Sequence, residues 1–328
     1  MATAPLTIGI LGAARIAPMA LLAPARRTGV AQVVAVAARD AARAREFAAR
    51  HGIPTTADDY DALLARPEIE AIYNPLPNSH HAAWTIRALA AGKHVLCEKP
   101  FAASAAEART MADAARLHGR VLMEAFHYRY HALFEQILTI VRGGEIGALR
   151  HVEARFVIPI VQRGDIRWRR DLAGGALMDA GCYTMSMLRH VAGSEPSVTR
   201  AQARWTRGGV DRWMQAELAF AGGVTGRLTC SLLSFPPVSI RLEVRGARGA
   251  VRAFNPVAPQ FFNRLRVTTP DGTRAGRVRG EPSYDMQLRA FVAAVREGRR
   301  VPTDPQDAIG NMAAIDAVYA AAGRPTPA

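Results

Sequence analysis

The segment around Lys99 is the first whose residue types could do chemistry. Lys99 lies in the sequence Cys97-Glu98-Lys99-Pro100, and Lys93 is the only other lysine among the 42 lysines and arginines of the chain. An ammonium is compact and can titrate, whereas a guanidinium stays charged. Lysine at this position therefore suggests a task, such as placing a compact, titratable charge, that arginine cannot perform.

A carboxylate and a phenol form a second group. The segment Gly174–Tyr183 reads GGALMDAGCY and places Asp179 and Tyr183 four residues apart. On a helix, residues with this spacing share one face. Gly181 lies between them, and glycine weakens a helix by about 0.5–1 kcal/mol relative to alanine. A glycine there indicates close packing, either of a ligand or of another helix.

The segment IGILGAARIA, residues 8–17, has the pattern of a turn that holds a dinucleotide. Gly12 would make the tight turn, Ala17 would let a helix pack closely on a strand, and exposed amides at the helix start would hold the pyrophosphate. Ala14 replaces the usual middle glycine, so a purely structural turn is the alternative. The residues expected to hold the cofactor here are Gly12, Ala13, Ala14, Arg15 and Ile16.

The residues after the second predicted strand decide which dinucleotide would bind. NAD enzymes usually place an acid there for the ribose 2′-hydroxyl, whereas an arginine accommodates the 2′-phosphate of NADP. Ala38 occupies the acidic position and Arg39 follows it, which favours NADP over NAD. An alignment shifted by two residues would make Asp40 the acid, although Asp40 can instead cap the next helix.

These groups need elements to position them, and the first 124 residues supply an alternating pattern. Short apolar segments alternate with alanine-rich segments of helical period, which predicts βαβ units around a parallel sheet. The predicted strands are Thr7–Leu11, Gln32–Ala37, Ile69–Tyr73, His94–Cys97 and Arg120–Met123. The predicted helices are Arg15–Thr28, Ala41–Arg50, His80–Ala91 and Ala105–His118.

The pattern changes after residue 124, where several strand candidates are separated by glycine-containing turns. Such hairpins indicate a largely antiparallel sheet. The predicted strands are Arg150–Ile158, Thr199–Thr206, Arg212–Phe220, Val224–Leu232, Ser239–Val244 and Leu265–Thr269. The predicted helices are Tyr130–Arg142, Ala176–Val191, Tyr284–Glu297 and Pro305–Ala322, and a frayed tail is expected over Gly323–Ala328.

The fold class is therefore α/β. We expect an N-terminal Rossmann domain over residues 1–124, with a parallel doubly wound sheet. Residues 125–328 should form an α+β domain with a large, mostly antiparallel open sheet that binds substrate and mediates oligomerisation. The last helix could pack back on the Rossmann domain.

Four stretches, in this order along nearly the whole chain, resemble the glucose–fructose oxidoreductase/inositol dehydrogenase/MocA (Gfo/Idh/MocA) family. They are GILGAARIA, NPLPNSHH, AGKHVLCEKP and GGALMDAGCY. Many members have a histidine where this chain has Tyr183. With a tyrosine at this position, the chain resembles the branch that contains dimeric dihydrodiol dehydrogenase, NADP-linked D-xylose dehydrogenase and glucose–fructose oxidoreductase. That resemblance implies a preference for NADP(H), in agreement with Arg39.

The resemblance also implies roles for individual residues. Lys99 and Tyr183 would be the catalytic pair, with Tyr183 as general acid and Asp179 assisting. Further cofactor-binding positions would be Asn74, Pro75, Leu76 and Asn78 on the nicotinamide side, together with His81, Glu98 and Lys99. Candidates for substrate contact are Phe126, Tyr128, Arg167 and Trp168.

The function expected is hydride transfer between NADP(H) and a carbonyl or alcohol carbon of a sugar, polyol or cyclic diol. One alternative is a non-catalytic regulator that senses dinucleotides on the same fold, although a sensor need not keep a proton donor. Another is an NAD(P)-dependent glycosidase on a related fold.

The composition argues against nucleic-acid binding, metal binding and membrane association. Arg200–Arg300 holds 18 arginines and 7 acidic residues, but these arginines are scattered and no nucleic-acid-reading motif accompanies them. His127 and His131 have metal-ligand spacing without an acid on that face, so no metal site is expected. Cys97, Cys182 and Cys230 form no CxxC pair, and no apolar run of about 18 residues occurs. These features predict a cytoplasmic protein away from membranes.

The resemblance implies a homodimer or homotetramer through the C-terminal sheet. A sheet with helices on one face leaves its other face to be covered. The strands Val224–Leu232 and Ser239–Val244 contain apolar residues, which we expect to be exposed in a monomer and buried by a second subunit.

Overall fold

A computed structural model describes residues 4–162, 164–235 and 237–323. The chain divides into two compact units. The first runs to His127 and includes Tyr284–Ile309, and the second comprises Tyr128–Ser283 and the chain from Gly310. In the tail predicted to fray, residues 324–328 lie outside the described part.

The first unit contains a six-stranded parallel sheet with the strand order β3-β2-β1-β4-β5-β6. The order reverses between β1 and β4, and ligands of such sheets bind beyond the carboxyl ends of the strands at that point. The strands are β1 (Leu6–Leu11), β2 (Ala31–Ala37), β3 (Thr55–Ala57), β4 (Ala71–Asn74), β5 (His94–Cys97) and β6 (Leu122–Glu124). This sheet confirms the predicted Rossmann fold and adds β3.

The helices of this unit begin and end at residues with recognisable capping roles. Asp40 accepts hydrogen bonds at the start of α2, and Gly52 ends it with φ +65°. The helices are α1 (Ala23–Thr28), α2 (Ala41–His51), α3 (Tyr60–Leu64), α4 (His81–Ala90) and α5 (Ala105–Leu117). The segment predicted as a helix from Arg15 is first a turn and then a π-helical segment, Pro18–Leu22, that leads into α1. Pro18 starts it because proline fits the first helical turn, where its missing N–H costs nothing.

The second unit contains an eight-stranded sheet in the order β14-β13-β12-β11-β7-β10-β9-β8. All of its strand pairs are antiparallel except β7 with β10, which confirms the largely antiparallel prediction. The strands are β7 (Leu149–Val157), β8 (Ser197–Trp205), β9 (Asp211–Ala219), β10 (Thr225–Ser231), β11 (Ser239–Gly246), β12 (Ala250–Phe254), β13 (Arg264–Thr269) and β14 (Gly272–Gly276).

The remaining helices are α6 (Ala132–Arg142), α7 (Cys182–Ala192), α8 (Ser283–Glu297) and α9 (Pro305–Ala321). Helix α7 packs against β7 and β10, at the centre of the eight-stranded sheet. Nearly all of α8 lies in the first unit, and α9 is divided between the two units after Ile309.

The expectation that apolar residues of the eight-stranded sheet are exposed in a monomer is wrong. The apolar residues of β10 and β11 that we expected to be exposed, such as Leu228 and Leu242, are 0% and 1% exposed within this single chain. Because α7 already covers β10, these side chains need no second subunit. The alternate positions on the opposite face are polar or charged, as at Arg227 and Glu243.

Among the described residues, every helix is too short or too polar to cross a membrane.

Candidate active site

The turn after β1 has the geometry that the dinucleotide pattern predicts. Gly12 has φ +89°, a conformation that side chains disfavour, and a Cβ atom there would lie 3.0 Å from Leu76 Cδ2. Its N–H donates to the carbonyl of Ala37 at the end of β2 (2.6 Å). Ala17 is fully buried. The backbone conformation therefore favours glycine at position 12, and a side chain there would also press on Leu76.

Two guanidinium groups adjoin this turn. Arg39 is exposed directly after β2, and the Arg43 guanidinium donates from Nη2 to the carbonyl of Ala13 (3.2 Å). Burial raises the pKa of the nearby Tyr60 phenol, an effect opposed by the charges of Arg39 and Arg43 and by a hydrogen bond from the backbone of Arg39. The sequence analysis missed Arg43 and Tyr60, although the place of Arg43 in the first turn of α2 was a usable signal.

Asp40 has a structural role. Its Oδ1 accepts hydrogen bonds from the backbone N–H groups of Ala42 (2.9 Å) and Arg43 (3.4 Å). Asp40 is thus the N-cap of α2, as the alternative interpretation proposed, while Ala38 is 5% exposed. The position that usually carries the acid of NAD enzymes holds an alanine.

The Glu98–Phe101 turn follows β5 at the carboxyl edge of the parallel sheet and contains Lys99. The peptide bond between Lys99 and Pro100 is cis. The Tyr73 hydroxyl donates to Glu98 Oε1 (2.7 Å), and the Lys99 N–H donates to Glu98 Oε2 (3.3 Å). The Phe101 N–H donates to Glu124 Oε1 (2.9 Å). Carboxylates on both sides therefore fix the backbone that carries Lys99.

His81 forms a third anchor of this turn. Its Nδ1 lies 2.8 Å from the carbonyl oxygen of Pro100, and its Nε2 lies 2.8 Å from that of Leu76. Burial lowers the pKa of His81 to about 4. The ring is then neutral at pH 7 with a single N–H, so it donates to one of the two carbonyls at a time. Both predicted cofactor-binding segments, around Leu76 and around Lys99, are thereby tied to one side chain.

Asn74 forms hydrogen bonds within the protein. It is fully buried, and its Nδ2 donates to the carbonyl of His81 (3.2 Å) and to Thr85 Oγ1 (3.1 Å). The Leu76 N–H donates to Asn74 Oδ1 (3.3 Å). Pro75 is half-buried, and Asn78 begins a short 3-10 turn before α4. The side chain of Asn74 thus shapes the loop that follows β4.

The two lysines differ in their surroundings. The Lys93 ammonium donates to the carbonyl oxygens of Arg66 (2.7 Å) and Ile69 (2.8 Å) and is 7% exposed. It ties the segment before β4 to the start of β5. The retention of lysine thus has a structural explanation at Lys93, whereas the catalytic role of Lys99 stays a prediction.

In the second unit, the segment predicted as a helix from Ala176 begins with a wider turn. Leu177–Gly181 is π-helical and leads into α7. Asp211 caps this start from β9: its Oδ2 accepts from the Leu177 N–H (2.7 Å), and its Oδ1 accepts from the Tyr319 hydroxyl (2.9 Å). π-helical turns often occur at functional sites, and this one contains Asp179.

The structure shows what packs against Gly181. A Cβ atom there would lie 2.6 Å from Leu177 Cδ1 and 3.0 Å from Cys230 Sγ. The glycine therefore makes room for a strand, β10, rather than for a second helix or a ligand.

Tyr183 is 5% exposed at the start of α7, beside two aromatic rings. The ring centroids of Phe156 and Tyr128 lie 5.7 Å and 5.9 Å from that of Tyr183. Tyr128 is fully buried and its hydroxyl donates to Ser186 Oγ (2.8 Å). Phe126, in the first unit, is also fully buried.

The remaining substrate candidates lie on the loop between β7 and the π-helical turn. The Trp168 indole donates to the carbonyl of Ile160 (3.1 Å), and Arg167 Nε donates to Asp179 Oδ2 (2.7 Å). The second unit thus brings together Asp179, Tyr183, Arg167 and Trp168. In the first unit, His81 links the Lys99 turn to the Leu76 loop, and Leu76 adjoins Gly12.

The histidines with metal-ligand spacing have other partners. His131 Nδ1 accepts from the Leu133 N–H (3.0 Å) at the start of α6, and the His127 ring stacks on Tyr284 at 3.9 Å between centroids. Within the described ranges, no group of three or more His, Cys, Asp or Glu side chains could hold a metal ion.

Comparison with known proteins shows the same two-part organisation. Residues 6–126 match the profile described as "Oxidoreductase family, NAD-binding Rossmann fold", and residues 134–252 match the GFO/IDH/MocA C-terminal domain. D-xylose 1-dehydrogenase (NADP(+)) 2 of Haloferax volcanii is 36% identical over 316 residues, covering 96% of each chain. Trans-1,2-dihydrobenzene-1,2-diol dehydrogenase of Sus scrofa is 39% identical over 228 residues, covering 69% of this chain and 67% of the relative.

A solved structure supports the same relationship. KijD10, a 3-ketoreductase from Actinomadura kijaniata in complex with NADP and TDP-benzene, superimposes with a TM-score of 0.90 and 30% sequence identity. The match covers 97% of this chain and 98% of that chain.

Proposed function

The chain belongs to the Gfo/Idh/MocA family of oxidoreductases, and from this premise we propose an NADP(H)-dependent enzyme that acts on a carbonyl or alcohol carbon of a sugar, polyol or cyclic diol. NADP(H) would supply or accept the hydride. The residues present fit this cofactor, because Gly12 leaves its backbone accessible and Arg39 and Arg43 offer two guanidinium groups beside the turn.

The observation that carries the proposal is the three-sided anchoring of the turn that holds Lys99. Glu98, Glu124 and His81 all contribute to it. A regulator that only senses a dinucleotide has no need of a fixed ammonium or of the Tyr183 phenol. An ammonium and a phenol are together suited to proton transfer during carbonyl reduction or alcohol oxidation.

Turnover of a substrate panel tests the function. Purified protein is incubated with NADP⁺ and D-xylose, D-glucose, other aldoses, polyols or a trans-dihydrodiol, and the cofactor absorbance is followed. Reduction of NADP⁺ with at least one member supports the proposal. Tight NADPH binding without turnover in either direction would favour the sensor alternative, and release of the phenol from an aryl glycoside would favour the glycosidase.

Preference for NADP(H) over NAD(H) is the first specific prediction. The Arg39→Ala substitution should raise the Kd for NADP⁺ by about 10–100-fold, because a hydrogen bond to a charged group contributes about 1.5–3 kcal/mol. Binding of NAD⁺ should change little. Calorimetric titration of both cofactors measures this. Arg45→Ala, at an exposed arginine of the adjoining helix α2, is the control. Tighter binding of NAD⁺ than of NADP⁺ by the unmodified protein would refute the prediction.

Oligomerisation through the outer face of the eight-stranded sheet is a further prediction, which now depends on charged rather than apolar side chains. That face carries paired charges, such as Glu217 with Arg227 Nε (2.8 Å) and Glu243 with Arg245 Nε (2.8 Å). A two-fold axis brings a patch against its own copy, so a face with both signs can complement itself. Salt screens such contacts.

The protein should therefore be a dimer or tetramer at micromolar concentration in low salt, with partial dissociation as salt rises. Light scattering at two ionic strengths measures the mass. A monomer in low salt would contradict the prediction.

A cytoplasmic location is also proposed. Cys97, Cys182 and Cys230 are buried thiols rather than disulfides, as expected in a reducing compartment.

A further inference from the structure

Arg167 lies between two carboxylates of the second unit. Its Nε donates to Asp179 Oδ2 (2.7 Å), and its Nη1 lies 3.1 Å and 3.3 Å from the two carboxyl oxygens of Asp165. The side chains of Asp165, Asp179 and Arg167 are 5%, 13% and 32% exposed. The negative charge of Asp179 raises the pKa of Arg167, which thus remains a cation at every accessible pH.

Asp165 fixes Arg167 twice. Besides the ion pair, its Oδ1 accepts the Arg167 backbone N–H (3.0 Å) and so caps the short turn Ile166–Trp168. Gly174 lets this turn approach the π-helical segment, because a Cβ atom there would lie 2.5 Å from the Arg167 carbonyl oxygen. The turn and the guanidinium are therefore both held before any substrate binds.

The arrangement leaves one edge of the guanidinium open. Nε and Nη1 are used by the two carboxylates, and Nη2 has no acceptor among the residues that the structure describes. Of the two Asp179 carboxyl oxygens, Oδ2 is the one that Arg167 holds. The side chain of Asp179 is thereby fixed through one oxygen, in the ionised form that a guanidinium favours.

We propose that Arg167 is a positioning residue that holds Asp179 ionised and oriented for the reaction, and that Asp165 positions Arg167 in turn. The inference rests on the proposed function, since it explains what holds Asp179 in place during the proposed reaction. The two acids have different roles: Asp179 assists the reaction, and Asp165 acts on it only through Arg167.

Substitutions of Arg167 and of Asp165 should shift the titration of Asp179 in opposite directions. The Arg167→Met substitution removes the cation beside Asp179, so Asp179 should keep its proton to higher pH and the acid limb of kcat/KM should move up. Asp165→Asn keeps the capping oxygen and leaves the positive charge of Arg167 to Asp179 alone, so that limb should move down. Two buried thiols, Cys182 and Cys230, also face Asp179, and both substitutions leave them in place.

The rates separate positioning from binding. We expect Arg167→Met to lower kcat by about 10–100-fold and Asp165→Asn to lower it by about 10-fold or less, as lost orientation would. Arg167→Lys should lower kcat without moving the acid limb, because it keeps the positive charge. KM for NADP⁺ should stay unchanged in all three. Arg169→Met is the matched control, because Arg169 lies in the same loop and pairs only with the exposed Asp171.

A measurement independent of turnover completes the test. Carbon-13 NMR of labelled aspartate carboxyl groups, assigned with Asp179→Asn, follows the ionisation of Asp179 directly in each variant. Opposite shifts of its titration midpoint in Arg167→Met and Asp165→Asn support the proposal. If the unmodified enzyme turns over sugars but Arg167→Met matches Arg169→Met in rate and titration, the inference is wrong and the proposed function stands. If no substrate turns over, the proposed function fails, and the NMR shifts still decide the inference.

Discussion

Tyr183→Phe is expected to lower kcat by about 10²–10⁴-fold while leaving NADPH binding nearly unchanged, because it removes only the proton that general acid catalysis requires. The substituted ring should pack as before, since Tyr183 lies beside the aromatic rings of Phe156 and Tyr128 and only its hydroxyl is lost. Steady-state rates with the best substrate of the panel, together with NADPH titration, measure the two effects separately.

Substitution of Lys99 should lower kcat in the same way. An ammonium beside a phenol favours the phenolate, and it also stabilises the oxyanion that develops on the substrate carbonyl. Lys99→Met should therefore lower kcat over the same range. Lys93→Met is the matched control, because Lys93 donates only to backbone carbonyl groups in the fold. That variant should lose thermal stability and keep its turnover.

Wild-type turnover by Tyr183→Phe would place the proton donor elsewhere. The candidates would then be Lys99, His81 and Tyr128. His81 and Tyr128 already have internal partners, in the carbonyls of Leu76 and Pro100 and in Ser186 respectively, so single substitutions at all three positions would be compared.

Much of the fold could be predicted from local patterns, because each element of the first unit carries its own signals. The Asp40 and Gly52 caps of α2 and the alternation of β5 with α5 are all readable within a few residues. The missed strand β3 spans only Thr55–Ala57, too short for a period to appear. The missed β14 pairs only with β13 and is exposed along its whole length, so it shows no alternation of apolar and polar residues.

The chemically active side chains could be found from residue type and motif, but their supports could not. Asp211 reaches Leu177 across 34 residues, and Tyr73 reaches Glu98 across 25. Only the fold brings such partners together, so no local pattern marks them. Asp165, two residues before Arg167, could have been noticed as a possible cap.

The error about the sheet faces has a similar origin. Alternation along β10 and β11 shows that two faces differ, but it does not show which face the chain itself covers. Leu228 and Leu242 are buried within the chain, so apolar content in these strands was never evidence for a subunit interface. The charged side chains of the outer face, such as Arg227 and Glu243, can contribute charge complementarity to an interface, and the predicted salt dependence follows from that.

Gly175 is the position where a single methyl group should most disturb the start of the Asp179–Tyr183 segment. It has φ +135°, and a Cβ atom there would lie 2.1 Å from Asp211 Oδ1 and 3.0 Å from the Tyr319 hydroxyl oxygen. Asp211 cannot move away without losing its hydrogen bonds to the Leu177 N–H and to Tyr319. The backbone and the buried carboxylate therefore both oppose a side chain.

Gly175→Ala is accordingly expected to lower the free energy of unfolding by about 3–5 kcal/mol, the sum of backbone strain and overpacking. Urea unfolding followed by circular dichroism measures it. Gly276→Ala is the matched control: Gly276 lies on exposed β14 with no atom within 4 Å of its Cβ position and without a positive φ. That change should stay within about 0.5 kcal/mol. A similarly small effect for Gly175→Ala would show that Asp211 does not hold the start of this segment as tightly as its contacts indicate.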